Sequence, residues 1–433
     1  MADPTTSDRD QPLVVVSSDT HIGPRLREDL RPYCPARYLD AFDAAVTGNA
    51  GALIALGKAF ADETDPDTDR GVVFRRNWQT EGHHDITARL RDMDYDGIAA
   101  EVIFHGSQNS EIIPFQAARA FFGELPDDLE LAALGLHIYN AWLADYCSHE
   151  PARHVGLVHL PWWDLDAAIA ELQWAREAGL RSVNFPAPRA YLPPYNSREW
   201  EPFWSACADL DMPLTTHAGA GDPSSWSGPE TVCLLSLESG GWPARRAMHF
   251  MILGGVFERH PNLRLVLTEQ PGDWWTSSVD DLDSTYLATI HTPGLAEQTP
   301  RRPSEYAREN VFIGASFLAR YEAEHAVRDG YTRQVMWGSD YPHMEGTFQY
   351  PRSFDEPSVG RMAMRYTFAG LPDDAIRDMA GENAVRVYGL DRDELAKVAT
   401  RIGAPTLTEL GTPLDAIPKA GSAQAFRTVG AWS

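Results

Sequence analysis

Short runs of apolar, mostly β-branched residues recur along this chain. Between them lie longer stretches whose apolar positions repeat every three to four residues, the spacing of a helix with one buried face. Eight runs stand out: Leu13–Ser18, Ile98–Phe104, Val155–His159, Ser182–Phe185, Pro213–Thr216, Leu263–Thr268, Val311–Ala315 and Gln334–Gly338. Each is joined to the next by at least one helical segment or a long insertion. Parallel strands covered on both faces by crossover helices read this way, and eight of them predict an α/β chain folded as a (β/α)8 TIM barrel. In the stretch 165–179, Leu165, Ile169, Leu172 and Ala175 share one helical face, and Gly179 suits the end of the helix. Similar helices are expected over 85–95, 200–211 and 243–259.

Two stretches break the alternation. Residues 23–82 separate the first run from the next helix by far more than an ordinary connection, and residues 349–357 are irregular, so both are expected to form parts of a lid. The expected division is a flexible N-terminus over 1–12, a barrel over 13–392 that includes a lid-like insertion at 23–82, and a C-terminal tail over 393–433, rich in Ala, Gly, Pro and Thr.

Composition narrows the function classes. The 433 residues are 43% apolar and carry a formal net charge of -25, a balance that repels polyphosphate and anionic lipid surfaces. No nucleic-acid or membrane partner is therefore expected, and a small-molecule substrate is. The four cysteines, Cys34, Cys147, Cys207 and Cys233, show no paired short spacing and read as reduced thiols rather than a zinc knuckle or a disulfide framework. The first eleven residues are polar and acidic, and no run approaches the roughly 18 apolar residues of a membrane span. A cytoplasmic protein is the expectation.

In a barrel of this kind the chemistry sits at the C-terminal ends of the strands, and seven of the eight run ends here carry an ionisable or amide side chain. They are Asp19 with His21, then His105, His159, Asn184, His217, Glu269 and Asp340. Asp19 and His21 lie two apart, so an extended strand turns both to one face. With His217 and Asp340 they make a two-histidine, two-carboxylate set suited to one divalent ion, Zn2+ first and Mn2+ or Fe2+ also. Glu269 ends an apolar run, where an ionised carboxylate is costly unless it is paired or its pKa is raised; it reads as an acid or base, or as the partner of Arg245 or Arg264. His105, His159 and His343 are candidates for substrate contact. The pair His83-His84 reads as a solvated loop or helix start, and the pairs Trp162-Trp163 and Trp274-Trp275 as core or mouth lining. No glycine-rich phosphate loop, nucleophile elbow or Cys-x-x-Cys is present, so nucleotide and serine-hydrolase readings have no support.

Six stretches together resemble the amidohydrolase superfamily, in particular the branch that includes aminocarboxymuconate semialdehyde decarboxylase and the resorcylate decarboxylases. They are residues 18–24 (SDTHIGP), 91–97 (RDMDYDG), 213–219 (PLTTHAG), 257–269 (FERHPNLRLVLTE), 338–343 (GSDYPH) and 382–388 (ENAVRVY). The resemblance implies a distorted (β/α)8 barrel, one divalent metal and a homodimer or higher homo-oligomer, with Asp19, His21, His217 and Asp340 in the ligand positions. Two departures matter. The first ligand is Asp19 where many relatives have His or Glu, and Glu269 stands where the decarboxylases use a histidine. Because of Glu269 the first expectation is a hydrolase acting on a small carbonyl compound through a metal-activated water, with Asp340 and Glu269 catalytic. The alternative is a non-oxidative decarboxylase or a hydratase of a small aromatic or unsaturated acid. A non-catalytic binding protein on the same scaffold is the third possibility.

Overall fold

The computed structural model describes residues 7–48, 69–116, 125–218, 241–418 and 423–431. It contains eight parallel strands in one sheet whose spatial order follows the sequence, β1 to β8. They are β1 (Val16–Ile22), β2 (Ala100–His105), β3 (His154–Val158), β4 (Ser182–Asn184), β5 (Leu214–His217), β6 (Leu265–Thr268), β7 (Val311–Ser316) and β8 (Val335–Gly338). With helices interleaved between successive strands, this is the (β/α)8 fold that the periodicity predicts. Seven strands fall within a residue or two of the expected runs.

β1 is the exception, starting three residues late and running through Asp19 and His21 to Ile22. The run of polar residues from Ser17 to His21 hides the strand from a hydrophobic reading, yet all of it is buried. Its polar groups are satisfied locally: Ser18 Oγ donates to Met336 O at 3.0 Å and Thr20 Oγ1 to Val102 O at 2.8 Å. A bulge between Ser17 and Thr20 adds one residue to β1 relative to β2, the kind of irregularity that re-aims side chains near functional sites.

By contact density the chain forms two compact units. One comprises Met1–Ile112, Asp145–Gly156 and Ala315–Ser433, and the other Ile113–Ala144 and Leu157–Gly314. In the first, β1 pairs with β2 and β2 with the start of β3. On the other side of β1, Asp340 N donates to Asp19 O at 2.9 Å, and Thr20 bridges Tyr341 just after β8. In the second, the end of β3 pairs with β4, then β5, β6 and the start of β7 in unbroken parallel register.

Helix boundaries follow local chemistry. The helix Leu165–Glu177 starts where Asp164 accepts from Ala167 N, buries Ala168, Leu172 and Ala175, and ends at Gly179 with φ 97°. Its last turn closes with Leu180 N donating to Ala175 O at 2.9 Å. Asp85 caps Ile86–Asp96 in the same manner. The helix expected over 243–259 is two helices, Trp242–Leu253 and Val256–Arg259, because Gly255 takes φ 64° between them.

The stretch expected as a C-terminal tail is partly helical where it is described. Residues after 392 carry the helix Arg392–Ile402, capped by Asp391, and the short helix Leu407–Leu410. Further on, Ala425 and Phe426 are buried against Ala363. Among the described residues of that stretch, Leu395, Ala399, Ala404, Leu407 and Leu410 are also buried. Of the expected flexible N-terminus, 1–6 lie outside the described residues, while Asp8 pairs with Arg377 at 2.6 Å and Arg9 pairs with Asp373. The expected insertion at 23–82 is described except for 49–68 and includes the helix Asp69–Asn77. Cys34, Cys147 and Cys207 are buried, and Cys233 lies outside the described residues. Among the described residues no helix is long and apolar enough to cross a membrane.

Candidate metal centre

In the first unit, β1 and the turn after β8 bring Asp19, His21, Asp340 and His343 together. Asp19 and Asp340 are fully buried and the two histidines nearly so. His21 Nε2 lies 3.3 Å from Asp19 Oδ1 and 3.3 Å from Asp340 Oδ1, and His343 Nδ1 lies 3.0 Å from the same Asp340 oxygen. The two imidazoles stack with centroids 3.9 Å apart. Ligand atoms of His21, Asp340 and His343 all fall within 4.8 Å of one another.

Backbone carbonyls set the ring orientations. His21 Nδ1 faces His105 O at 3.2 Å and His343 Nε2 faces Gly106 O at 2.7 Å. A carbonyl can only accept, so each of these nitrogens carries the proton. The opposite nitrogen of a neutral ring then presents a lone pair. On His21 that lone pair points at two carboxylates, an arrangement repulsive unless a cation or a proton stands among the three. The donor set therefore fits a divalent ion. Asp19 is oriented through its other oxygen, Oδ2, which accepts from Ser316 Oγ at the end of β7.

The electrostatics agree. Burial works against ionising Asp340, but the positive charge of His343 above all holds its carboxyl below the ordinary range. For His343, burial opposes the charged form, and the Asp340 carboxylate overrides it and pushes the pKa up to about 10. Beyond His343, Glu345 Oε1 lies 3.6 Å from its Nδ1, and Gln108 Nε2 holds the Glu345 carboxylate at 3.0 Å. Asp340 adopts φ 53°, a left-handed conformation uncommon outside glycine, and such backbone strain clusters at functional sites.

Behind this cluster lies a buried ionic network that the strand-end rule misses. Arg89 donates from Nη2 to Glu101 Oε2 at 2.6 Å and from Nη1 to the His21 carbonyl at 2.7 Å, and its guanidinium lies 4.1 Å from the Tyr341 ring centre. Glu101 also faces His154 Nδ1 at 3.0 Å. Burial alone would raise the Glu101 pKa, but Arg89 and then His154 bring it down to about 2. The available signal was an acid inside an otherwise apolar strand run. His83 is a second correction: it is buried rather than solvated, with Nδ1 2.9 Å from Ser107 Oγ and Nε2 3.1 Å from Asn77 O.

The remaining candidates stand in two places. His105 ends β2 in the first unit and is half-buried. In the second unit, His217 ends β5 and Glu269 follows β6, with His217 Nδ1 3.3 Å from Glu269 Oε2 and 2.8 Å from Ala218 O. Glu269 takes φ 52°. Arg264, one of its expected partners, pairs instead with Asp211. The backbone of His159 is clamped by Asn140, whose side chain accepts from His159 N at 2.9 Å and donates to His159 O at 2.8 Å. Burial lowers its pKa to about 4, so His159 is neutral at pH 7. Trp162 joins an aromatic cluster with Phe185 and Phe203, and Trp274 and Trp275 are buried, as the core reading expects.

Residues 35–390 match the model of a family described as Amidohydrolase. A curated relative, the gamma-resorcylate decarboxylase of Rhodococcus jostii (strain RHA1), is 26% identical over 237 residues, covering 51% of this chain and 69% of its own. The 5-carboxyvanillate decarboxylase of Sphingomonas paucimobilis superposes with a TM-score of 0.57 at 20% identity, over 88% of this chain and 100% of that one. The corresponding enzyme of Novosphingobium aromaticivorans, complexed with manganese and 4-hydroxy-3-methoxy-5-nitrobenzoic acid, gives 0.56 at 17% identity over 89% and 100%.

Proposed function

Because this chain belongs to the amidohydrolase family, we propose that it is a metal-dependent, non-oxidative decarboxylase of a small hydroxylated aromatic acid. The observation that carries the choice is the 26% identity to a curated resorcylate decarboxylase across half of this chain. It ranks above the hydrolase that Glu269 first brings to mind, and above a hydratase or a binding protein.

In this reading Asp19, His21 and Asp340 hold one divalent ion, and His217 is the fourth ligand assigned by the sequence pattern. Mn2+ gains on Zn2+ as the resident ion, since it is the ion bound in a fold relative. Once bound, the ion supplies Lewis-acid charge that orients the carboxyl group of an anionic substrate. The chain's own part is proton delivery. The proton held by His343, 3.0 Å from Asp340, passes to Asp340 and from it to the ring carbon as that carbon's bond to the carboxyl group breaks; the bonding electrons form the new C–H bond and CO2 departs. His105 and His159 are the proposed substrate contacts, with His159 neutral and therefore able to donate or accept one hydrogen bond. A homo-oligomer in the cytoplasm belongs to the same proposal, and sedimentation of the purified protein tests the first part.

The test is incubation of the metal-loaded protein with 2,6-dihydroxybenzoate and with 5-carboxyvanillate in D2O. Release of CO2 with one deuterium at the vacated carbon is the expected result. No CO2 from any hydroxybenzoate, together with 18O from labelled water entering the product of an ester or amide, would overturn it in favour of hydrolysis.

A further inference from the structure

Asn77 closes the helix Asp69–Asn77 in the first unit, is 2% exposed, and gives its side chain to the loop that carries His343. Its Nδ2 donates to Pro342 O at 2.9 Å and to Phe348 O at 3.0 Å, and its Oδ1 accepts from Tyr350 N at 2.9 Å. These bonds bracket His343 on both sides along the chain. The main chain of the same residue begins a second connection. His83 Nε2 faces Asn77 O at 3.1 Å, and a carbonyl only accepts, so Nε2 carries the proton and Nδ1 offers its lone pair to Ser107 Oγ, 2.9 Å away. Burial brings the His83 pKa down to about 4, which keeps the ring in that neutral form at pH 7. Ser107 follows Gly106, whose carbonyl accepts from His343 Nε2 at 2.7 Å.

Two arcs thus leave Asn77 and meet at one imidazole. The first holds the backbone before and after His343, and the second holds the carbonyl that receives its Nε2–H. Nδ1 is left 3.0 Å from Asp340 Oδ1. A half-turn of the ring would put carbon atoms in both places and forfeit both contacts. Gly106 takes φ 102°, a conformation that any side chain would strain, so the direction of its carbonyl is built into the chain. Gln108 ties the same two loops once more, its Oε1 accepting from Met344 N at 3.1 Å.

From this closed circuit we propose that Asn77 and His83, together with Ser107, are positioning residues that set the ring of His343 against Asp340. Under the decarboxylase reading, on which this consequence rests, part of the insertion expected at 23–82 serves the proton transfer by acting through His343.

The experiment uses the full chain and two readouts. The first needs no substrate: a ring N–H held by Gly106 O should give a slowly exchanging downfield proton resonance, assigned by its loss in His343→Gln. Asn77→Ala and Ser107→Ala cut the two arcs separately, and each should broaden or abolish that resonance while urea unfolding shows the chain still folded. Ser107→Ala removes a single oxygen atom and leaves Asn77 in place. The second readout is steady-state CO2 release, where each variant should lower kcat about 10–100-fold with KM unchanged. Because both act through one ring, neither loss should add to that of His343→Gln. A wild type without the resonance, a resonance unchanged in both variants, or kcat losses that multiply with that of His343→Gln would overturn the positioning role. A wild type that releases no CO2 would overturn the decarboxylase reading alone, and the resonance would still decide how His343 is held.

Discussion

Arg89→Met removes one partner of a fully buried ion pair and leaves the other in place. Arg89 and Glu101 are 0% and 1% exposed at the side chain, so solvent cannot take over the lost interaction. Breaking such a pair costs about 3–5 kcal/mol. The carboxylate points the same way. Arg89 first, and His154 after it, bring Glu101 from an ordinary 4.5 to about 2, which corresponds to about 3 kcal/mol. Its sign is fixed: a depressed carboxyl pKa stabilises the fold above pH 4.5, and that contribution disappears as pH falls toward 2. Urea unfolding midpoints of wild type and Arg89→Met should therefore lie far apart at pH 7 and draw together below pH 4. Adding Glu101→Gln to the variant removes the stranded charge and should recover a large part of the loss at pH 7. A single-variant cost under about 1 kcal/mol, or a double variant no more stable than the single one, would refute the reasoning.

Asp96 titrates in the opposite sense. It is fully buried with Oδ1 accepting from Ser358 Oγ at 2.6 Å, and burial raises its pKa to about 7. The native state holds this proton more tightly than the unfolded chain does, so Asp96 weakens the fold as pH rises from about 4 to beyond 7. Asp96→Asn should raise the urea midpoint at pH 8 and leave it nearly unchanged at pH 4; an equal effect at both values would sink the argument. Ser316→Ala removes the hydroxyl that orients Asp19 and should lower metal affinity about 10–100-fold in a chelator competition; unchanged affinity would separate Ser316 from the centre. Gly381→Ala would place a methyl carbon 1.9 Å from Val14 O, a backbone atom that cannot turn aside. It should cost about 3 kcal/mol or more in unfolding free energy, and a near-neutral variant would contradict the close approach.

How much of this was readable beforehand depends on what each feature rests on. Buried parallel strands are apolar on both faces, so their number, order and near boundaries come through as composition alone, from β2 to β8. β1 does not, because its core-facing residues are polar and held by hydrogen bonds from other strands, such as the Ser18 bond to Met336. The pincer of Asp19 and His21 follows from the two-residue period of a strand, and their convergence on Asp340 from strand-end placement. The tautomer of His21 does not, since it is set by the His105 carbonyl 84 positions away. The same holds for the pairing of Glu101 with Arg89 and His154, which needs helix and strand registers together. The helices after residue 392 were hidden by a composition rich in Ala, Gly, Pro and Thr, and the packing of Phe426 against Ala363 depends on a residue far away in sequence.

Glu269 is the residue on which hydrolysis and decarboxylation differ most. It occupies a left-handed conformation at φ 52°, costing a residue without a side-chain turn of its own about 1–3 kcal/mol. Its backbone is held there by Glu269 N donating to Gly314 O at 2.9 Å, and its carboxylate oxygen lies 3.3 Å from His217 Nδ1. A carboxylate so placed fixes which nitrogen of His217 carries the proton and strengthens the basicity of the other, the usual role of an acid beside a metal-binding histidine. Under the decarboxylase reading that is its whole task, and a neutral amide can still accept from Nδ1. Glu269→Gln should then keep measurable CO2 release, with metal affinity reduced about 10–100-fold and activity restored by excess metal. As the base of a hydrolytic reaction, Glu269 would have to take a proton from water, which an amide cannot do at any metal concentration. Loss of activity that excess metal fails to restore would move Glu269 from positioning His217 to the chemical step itself.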